Sequence, residues 1–411
     1  MLPITDVFLY VVGKATSAIR SRPFVGLLTA AAVVSLYRLK KHRKRKAPSL
    51  RAAFGGPTRF CNTLLGLVPE SIQHTISTSE ILADTYGDAF AMRILGRDCL
   101  ILTNGKLIRE VLKKRPHSFV RRGVEATHRR LGAPAFNAAN ATAMVPGLSL
   151  VAKRFVRLLE KSVSQDGNRI VWEPKKSFLP VVFDCLCICV FGKDFHLVNP
   201  DDLPAPDGSQ GIIGAIEDLT TGADHILTRV FHPIMARDCF PWNLHPMIKK
   251  FHSGLRRLSE FSEDLAAERR AEEDSANRVD LLSKLLHLRK EDLQGNLVTF
   301  FVAGSDTTAL SVSWCVCYLC LYPHVQARAR AEVDLLGHDP ETIDDLDHLP
   351  FIRSCLLESY IRLQPAIVAL GHEALITEVS VGGKKVAAGT TVVTLVRKHL
   401  RTDAGGGSLF K

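Results

Sequence analysis

Acidic side chains are nearly missing from the start of this 411-residue chain: the first 59 residues hold one, Asp6, against twelve lysines and arginines. The remaining 352 residues carry 41 basic and 41 acidic side chains, so the net charge of +11 resides in the N-terminal segment. A neutral body excludes the broad basic face that nucleic-acid binding needs, and no nucleic-acid partner is expected. A second cysteine pair at zinc-ribbon spacing is also lacking beside either cysteine cluster. Of the ten cysteines, Cys185, Cys187 and Cys189 lie in VVFDCLCICVFG and Cys315, Cys317 and Cys320 in SWCVCYLCLY, apolar runs without nearby histidine. They are expected to be buried free thiols in a reducing compartment, which excludes a disulfide scaffold. The absence of an internal repeat excludes a solenoid. What remains is the composition of a folded globular protein, 46% hydrophobic and 23% charged, at a length that leaves one large domain or several open.

The basic segment has an internal order. Phe24 to Tyr37 (FVGLLTAAAVVSLY) is an uncharged apolar run, stopped by RLKKHRKRK and followed by PSLRAAFGGP. At 14 residues the run falls short of the roughly 20 that span a bilayer, although VFLYVV at 7–12 extends it as a tilted or interfacial segment. Residues 1–46 are expected to be a membrane anchor with a cytoplasmic basic stop, 47–59 a hinge, and 60–411 the folded domain. An organelle transit peptide is the alternative, because arginine and serine are present and acids nearly absent.

Along the body a short β section precedes mostly helices. RILGRDCLIL at 93–102 predicts a hairpin turning near Gly96 to Asp98, and GKLIREVLKKRP a helix ended by Pro116. The stretch 128–161 has a helical pattern interrupted by Pro146 and Gly147, and 197–211 is a loop by its Pro, Asp and Gly content. LRRLSEFSEDLAAERRAEEDSANR predicts an exposed, charge-laced helix. A buried helix over 300–322 ends before Pro323, HVQARARAEVDLL continues as an amphipathic one, and IRSCLLESYIRL stops at Pro365. EALITEVSVGGKKVAAGTTVVTLV alternates like strands around Gly382 and Gly383.

The buried helix poses the chemical question. FFVAGSDTTALSVSW is apolar except for Ser305, Asp306, Thr307 and Thr308. A carboxylate removed from water costs several kcal/mol or more unless it is paired, and aspartate and threonine are poor helix-interior residues. One explanation is structural: Asp306 forms a salt bridge or cap, and the threonines bond back to helix carbonyls.

The order AGSDTT, LYPHVQARARAEVD, LPFIRSCLLESYIRLQP and VSVGGKKVAAGTTV resembles the cytochrome P450 family from its oxygen-activating helix onward. YGDAFAMRILGRDCLILTNGKLIREVLKKRP and HRRLGAPAFNAANATAMVPG are similar to its first sheet and its propionate-binding helix. The resemblance implies a mainly α fold with a minor β part, and a haem b monooxygenase. Such an enzyme takes electrons from NADPH through a partner reductase and inserts one atom of O2 into a hydrophobic substrate. It implies that Asp306 is the acid and Thr307 the hydroxyl of a proton relay into a dry pocket, and that Ala303 and Gly304 let the helix pass close over the macrocycle. Arg129 matches the propionate-binding arginine, and His372 falls where a second one usually stands, with an exposed loop histidine as the alternative.

Several positions depart from the family pattern. Glu125 stands where a tryptophan precedes the propionate arginine. The Glu-x-x-Arg pair is stretched: Glu358 and Arg362 are four apart, and Ser359 holds the glutamate's place unless the extra residue is absorbed as a π-bulge. The Phe-x-x-Gly-x-Arg-x-Cys-x-Gly loop that carries the haem thiolate has no counterpart before RTDAGGGSLFK. The chain is therefore expected to be C-terminally incomplete, with the ligating cysteine beyond Lys411, and activity of the chain as written is in doubt. A non-catalytic, membrane-anchored helical protein that keeps a ligand pocket or partner surface is the competing expectation, and a plain tethered adaptor a third. The expected location is the endoplasmic reticulum facing the cytoplasm, with a mitochondrion or plastid as the alternative.

Overall fold

A computed structural model describes residues 50–57, 75–94, 97–121, 138–165, 172–199, 209–224, 246–272, 280–375 and 379–402. In chain order the elements are α1 (Leu50–Phe54), α2 (Thr75–Tyr86), β1 (Ala89–Ile94), β2 (Arg97–Leu102), α3 (Gly105–Lys113), β3 (Phe119–Arg121), α4 (Ala138–Gln165), α5 (Pro174–Phe191) and α6 (Ser209–Asp224). They continue with α7 (Pro246–Ala271), α8 (Leu281–Leu285), α9 (Lys290–Leu321), α10 (Pro323–Leu336), α11 (Ile343–Asp347) and α12 (Pro350–Leu357). A π-helical turn over Glu358–Leu363, strands β4 (Leu370–Ala374), β5 (Val379–Val381), β6 (Lys384–Val386) and β7 (Thr391–Thr394), and α13 (Val396–Thr402) complete the chain. The mainly α class with a minor β part holds. The expected membrane anchor lies outside the described residues.

The β part is a five-stranded sheet in the order β1-β2-β7-β4-β3, parallel between β2 and β7 and antiparallel elsewhere. Its period-two alternation sorts side chains onto two faces. Phe90, Met92, Cys99 and Ile101 pack with Ala83 of α2. Ala91, Leu100, Leu102 and Val392 pack with Phe54, Ile108 and Val111 on the other side. The hairpin begins at Ala89, earlier than its sequence implied, and Asp98 pairs across it with Arg93 at 2.8 Å instead of lying in the turn. Gly382 and Gly383, both at positive φ, turn the β5–β6 hairpin.

Part of the expected hinge is built into this sheet. Phe54 is buried beneath the Lys384 ammonium, 5.1 Å from its ring centroid, and the Ala91 N–H donates to the Gly55 carbonyl at 3.0 Å. Gly56, at φ +128°, passes so close that a Cβ would lie 2.0 Å from the Ala91 oxygen. The segment 50–56 is thus a fixed strap, because its apolar residues find the sheet face that the anchor-like sequence upstream obscured.

The larger core is helical. α5 lies along α9, and Phe183, Phe191, Phe261 and Phe301 form a ring cluster with centroids 5.1–6.2 Å apart. Burying such rings stabilises by about 1.5–3 kcal/mol each. α4 runs unbroken through Pro146, where an interruption was expected; a Cβ on Gly147 would lie 2.8 Å from Ile188 Cγ2, so the glycine serves close packing on α5. α7 is not merely an exposed charged helix. Its Arg269 is 2% exposed, and its guanidinium donates to the Phe191 carbonyl, pairs with Asp280 and reaches Ser283 Oγ at 3.0 Å, which joins the end of α5 to α8. Cys187 and Cys315 are buried and Cys185 partly so, with their thiols pushed up by burial, Cys185 to about 12 and Cys315 to about 11, whereas Cys189 and Cys317 are half-buried and Cys320 is exposed, against the expectation of buried thiols throughout.

Two outcomes follow from the helical core. Gly254 of α7 meets α6 backbone to backbone, so a Cβ there would be 2.6 Å from the Ala215 oxygen and 2.7 Å from the Leu219 nitrogen. Gly254→Ala is expected to cost about 1–3 kcal/mol in urea unfolding through overpacking. Asp184, fully buried in α5, accepts from the Val198 N–H at 2.9 Å. Burial raises its carboxyl above the ordinary value, opposed by the Val198 and Leu197 N–H groups, with Asp194 repelling and Arg154 attracting its charge. A raised folded pKa contributes stability that is complete below the unfolded value, about 4, and is lost as pH rises through the folded one. Asp184→Asn is therefore expected to flatten the decline of stability as pH rises above the unfolded carboxyl value in parallel melts of both proteins.

Candidate functional site

The polar knot sits in the middle of α9, and the helix distributes its members around its circumference. Every hydroxyl there returns to the carbonyl four residues earlier: Ser305 to Phe301, Thr307 to Ala303 at 2.6 Å, Thr308 to Gly304 at 2.9 Å, Ser311 to Thr307 at 2.8 Å and Ser313 to Ala309 at 2.6 Å. Asp306 turns toward α5, where its Oδ1 lies 3.1 Å from Lys175 Nζ. Both parts of the structural explanation are therefore realised. They do not exhaust the knot, because Thr307, Thr308 and Ser311 also face a cavity.

That cavity has a volume of about 570 Å³. Its walls are Thr307, Thr308, Ser311 and Val312 of α9, Leu356 of α12, Tyr360 and Ile361 of the π-turn, Pro365, Ala366 and Ile367 after it, and Val396 and Leu400 of α13. No lining residue carries a formal charge. The size and apolar lining with a few polar groups are those of a small-molecule site.

The π-turn resolves the stretched Glu-x-x-Arg pair. One residue more than an α-helix accommodates between Glu358 and the end of the element is taken up as a wider turn, as the spacing allowed. Ser359 is thereby fully buried, its Oγ without a hydrogen-bond partner among the described residues, while Glu358 is half-buried. The same bulge swings Tyr360 and Ile361 to the cavity.

Other expected site residues fall elsewhere. Gly304 packs on α5, with a Cβ position 3.1 Å from Leu186 Cδ1, and Ala303 is exposed; neither lines the cavity. His372 is 1% exposed within β4, in register with Arg121 and Val392, so the exposed-loop alternative is corrected: β4 begins at Leu370 and draws the histidine into the sheet. Arg129 lies outside the described residues, as does Glu125.

One wall was not legible in the sequence. α13 reads as a basic run, yet its cations point away from the cavity and hold the helix in place. Arg397 makes a bidentate pair with Glu80 of α2, Nε to Oε1 at 2.9 Å and Nη2 to Oε2 at 2.6 Å. Lys398 pairs with Asp84 one turn along α2, and Arg401 Nε donates to the Leu363 carbonyl at 3.2 Å. Val396 and Leu400, one turn apart, are left facing inward. The Glu80–Arg397 pairing raises the arginine further above its ordinary value.

The fold and site together define a mainly helical protein with a central polar-knotted helix beside an apolar cavity that opens to solvent. A family model for cytochrome P450 matches residues 125–403, and the chain belongs to the cytochrome P450 family. It is 25% identical over 370 residues to a bifunctional cytochrome P450/NADPH–P450 reductase of Fusarium oxysporum, covering 82% of this chain and 33% of that protein. It is 29% identical over 216 residues to cytochrome P450 4F2 of Homo sapiens, covering 47% and 39% respectively. It is 31% identical over 182 residues to cyclooctat-9-en-7-ol 5-monooxygenase of Streptomyces melanosporofaciens, covering 42% and 38%. The chain spans about a third to two fifths of the length of these relatives.

The α2–α13 clamp is directly testable. Charge-assisted bidentate pairs are the stronger class, so Arg397→Ala is expected to lower unfolding free energy by about 1.5–3 kcal/mol. Lys398→Ala, whose partner Asp84 is largely exposed, is expected to cost about 1 kcal/mol or less in the same urea titration.

Proposed function

We propose that the chain is the substrate- and oxygen-facing part of a haem-dependent monooxygenase, an oxidoreductase that inserts one atom of O2 into a hydrophobic organic molecule. The observation that carries this reading is the coincidence of the family's acid-and-hydroxyl pair with an apolar cavity that the hydroxyl lines. Electrons would come from NADPH through a reductase, a pairing supported by the relative in which the two are fused. The N-terminal segment would anchor the protein in the endoplasmic reticulum facing the cytoplasm; the relative named cytochrome P450 97B2, chloroplastic, of Glycine max keeps the plastid alternative in play.

The cavity walls fit one face of a flat, apolar macrocycle: they are uncharged, and Thr307, Thr308 and Ser311 supply hydroxyls along one edge. They hold no cysteine or histidine to ligate iron, and the described cysteines lie in other parts of the fold. Arg129 and His372 are proposed as groups for the propionates. When bound, haem supplies the one-electron and oxygen chemistry. The chain's own part is to keep water out and to manage protons. Lys175, half exposed, meets solvent and holds Asp306 Oδ1 at 3.1 Å. Released from that pair, the carboxylate takes up a proton and hands it to Thr307 Oγ1 as the threonine gives up to the cavity the hydroxyl hydrogen that at rest it donates to the Ala303 oxygen. Buried Ser359 and the π-turn keep Tyr360 and Ile361 against the opposite wall, with Glu358 and Arg362 proposed as the pair that stiffens it.

The pairing of Asp306 with Lys175 at 3.1 Å and the return of the Thr307 hydroxyl to the Ala303 carbonyl, which satisfy the knot structurally, support one second reading, a non-catalytic protein that retains the ligand cavity. Haem reconstitution of the full chain separates the two. A ferrous–CO Soret band of the thiolate type is expected from the monooxygenase, together with loss of most product per electron consumed in Asp306→Asn and Thr307→Ala. Probe binding without that band, and indifferent to both substitutions, identifies the non-catalytic protein.

A further inference from the structure

We propose that Glu332 of α10 is a positioning residue for the cavity: acting through the backbone of α12, its carboxylate sets where Leu356, Tyr360 and Ile361 stand. The inference rests on the cavity being the ligand site, as above, and adds the group that holds its α12 wall.

The start of α12 has no side-chain cap of its own. Its N-cap residue is Leu349, and its first helical residue is Pro350. Each amide there can be accounted for. The Leu349 N–H donates to the Leu346 carbonyl at 3.2 Å, Pro350 has none, and the Arg353 N–H closes the first helical bond to the Leu349 carbonyl at 3.0 Å. Phe351 and Ile352 remain. Their N–H groups donate to Glu332, to Oε1 and Oε2 respectively, each at 2.8 Å. A negative charge suits the positive end of a helix, and hydrogen bonds to a carboxylate are of the stronger kind. One turn back along α10, the Arg328 guanidinium lies over the Phe351 ring, 4.0 Å from its centroid.

This grip is directional where the packing of α12 is not. Cys355 meets Cys315 of α9 and Val325 of α10 in an apolar cluster, and apolar contacts carry no preferred direction. Consecutive residues of a helix stand about 100° apart around its axis, so a carboxylate that holds two of them fixes the rotation of α12 as well as its height. Leu356 is one turn beyond Ile352, and the π-turn bearing Tyr360 and Ile361 continues directly from α12. With Glu332 removed, the two N–H groups turn to water, α12 rotates on its apolar cluster, and the wall moves with it.

Two readouts on the full chain test this. One is the affinity of the neutral fluorophore 1-aminoanthracene, corrected with a Ser311→Trp variant whose indole fills the cavity. The other is the fluorine resonance of 3-fluorotyrosine at Tyr360, assigned by its loss in Tyr360→Phe. Gly254→Ala, in the α6–α7 contact, supplies a loss of stability for comparison. Glu332→Ala is expected to weaken the fluorophore about threefold to tenfold, because the competent wall becomes a minor arrangement, and to shift the Tyr360 resonance. Gly254→Ala is expected to change neither. Glu332→Asp keeps the charge but draws the carboxylate back by one methylene; it is expected to move both readouts in the same direction by less, and it decides the question where the alanine variant does not fold. A Tyr360 resonance unmoved in the Glu332 variants, or moved as far in Gly254→Ala, overturns the proposal and leaves Glu332 a helix cap alone. Failure of the fluorophore to bind the unaltered chain overturns the ligand-site reading, and the resonance, which needs no ligand, still decides whether Glu332 positions the wall.

Discussion

The packing of α9 on α5 is the contact from which the rest of the architecture is hung. Phe301 projects from α9 into Phe183 and Phe191 of α5 and Phe261 of α7, and these rings leave water together. Once that side of α9 is committed, its opposite side has to present Thr307, Thr308, Ser311 and Val312 elsewhere, and the cavity forms there. A helix with 3.6 residues per turn cannot place neighbouring residues on one face. Asp306 and Thr307 are consequently adjacent in sequence but divided between Lys175 of α5 and the cavity.

The polar residues of this helix cost less than their burial implies, because most are satisfied within it. A serine or threonine whose hydroxyl returns to the carbonyl four residues back hides its hydrogen and keeps only lone pairs on display. This local rule gives the cavity its electrostatic character without any charged side chain in its wall. Charge is instead placed behind the wall, in the Glu80–Arg397 and Asp84–Lys398 pairs that hold α13 on α2. Polar contacts there determine position, and apolar contacts determine shape.

The π-turn at Glu358–Leu363 shows how an extra residue is accommodated in a helix. Hydrogen bonding widens locally, Ser359 is driven into the interior, and the next two residues reach the cavity. The added residue is thus absorbed within one turn, and the stop at Pro365 is preserved.

Much of this was legible from the order of residues alone. The helical class, a hairpin turning near Gly96, strands around Gly382 and Gly383, and the long apolar helix with its polar knot follow from local periodicity, which depends on near neighbours, and the resemblance left a π-bulge between Glu358 and Arg362 as one option. Tertiary structure decided what local pattern cannot contain. It buried Phe54 of the apparent hinge under the sheet, took Arg269 out of a charged helix and into the core, placed His372 within β4, and turned Arg397 and Lys398 of α13 outward to partners more than three hundred residues away. The physical reason is the same in each case: a side chain's environment is set by the elements packed against it, and those elements are brought there by burial of apolar surface elsewhere in the chain.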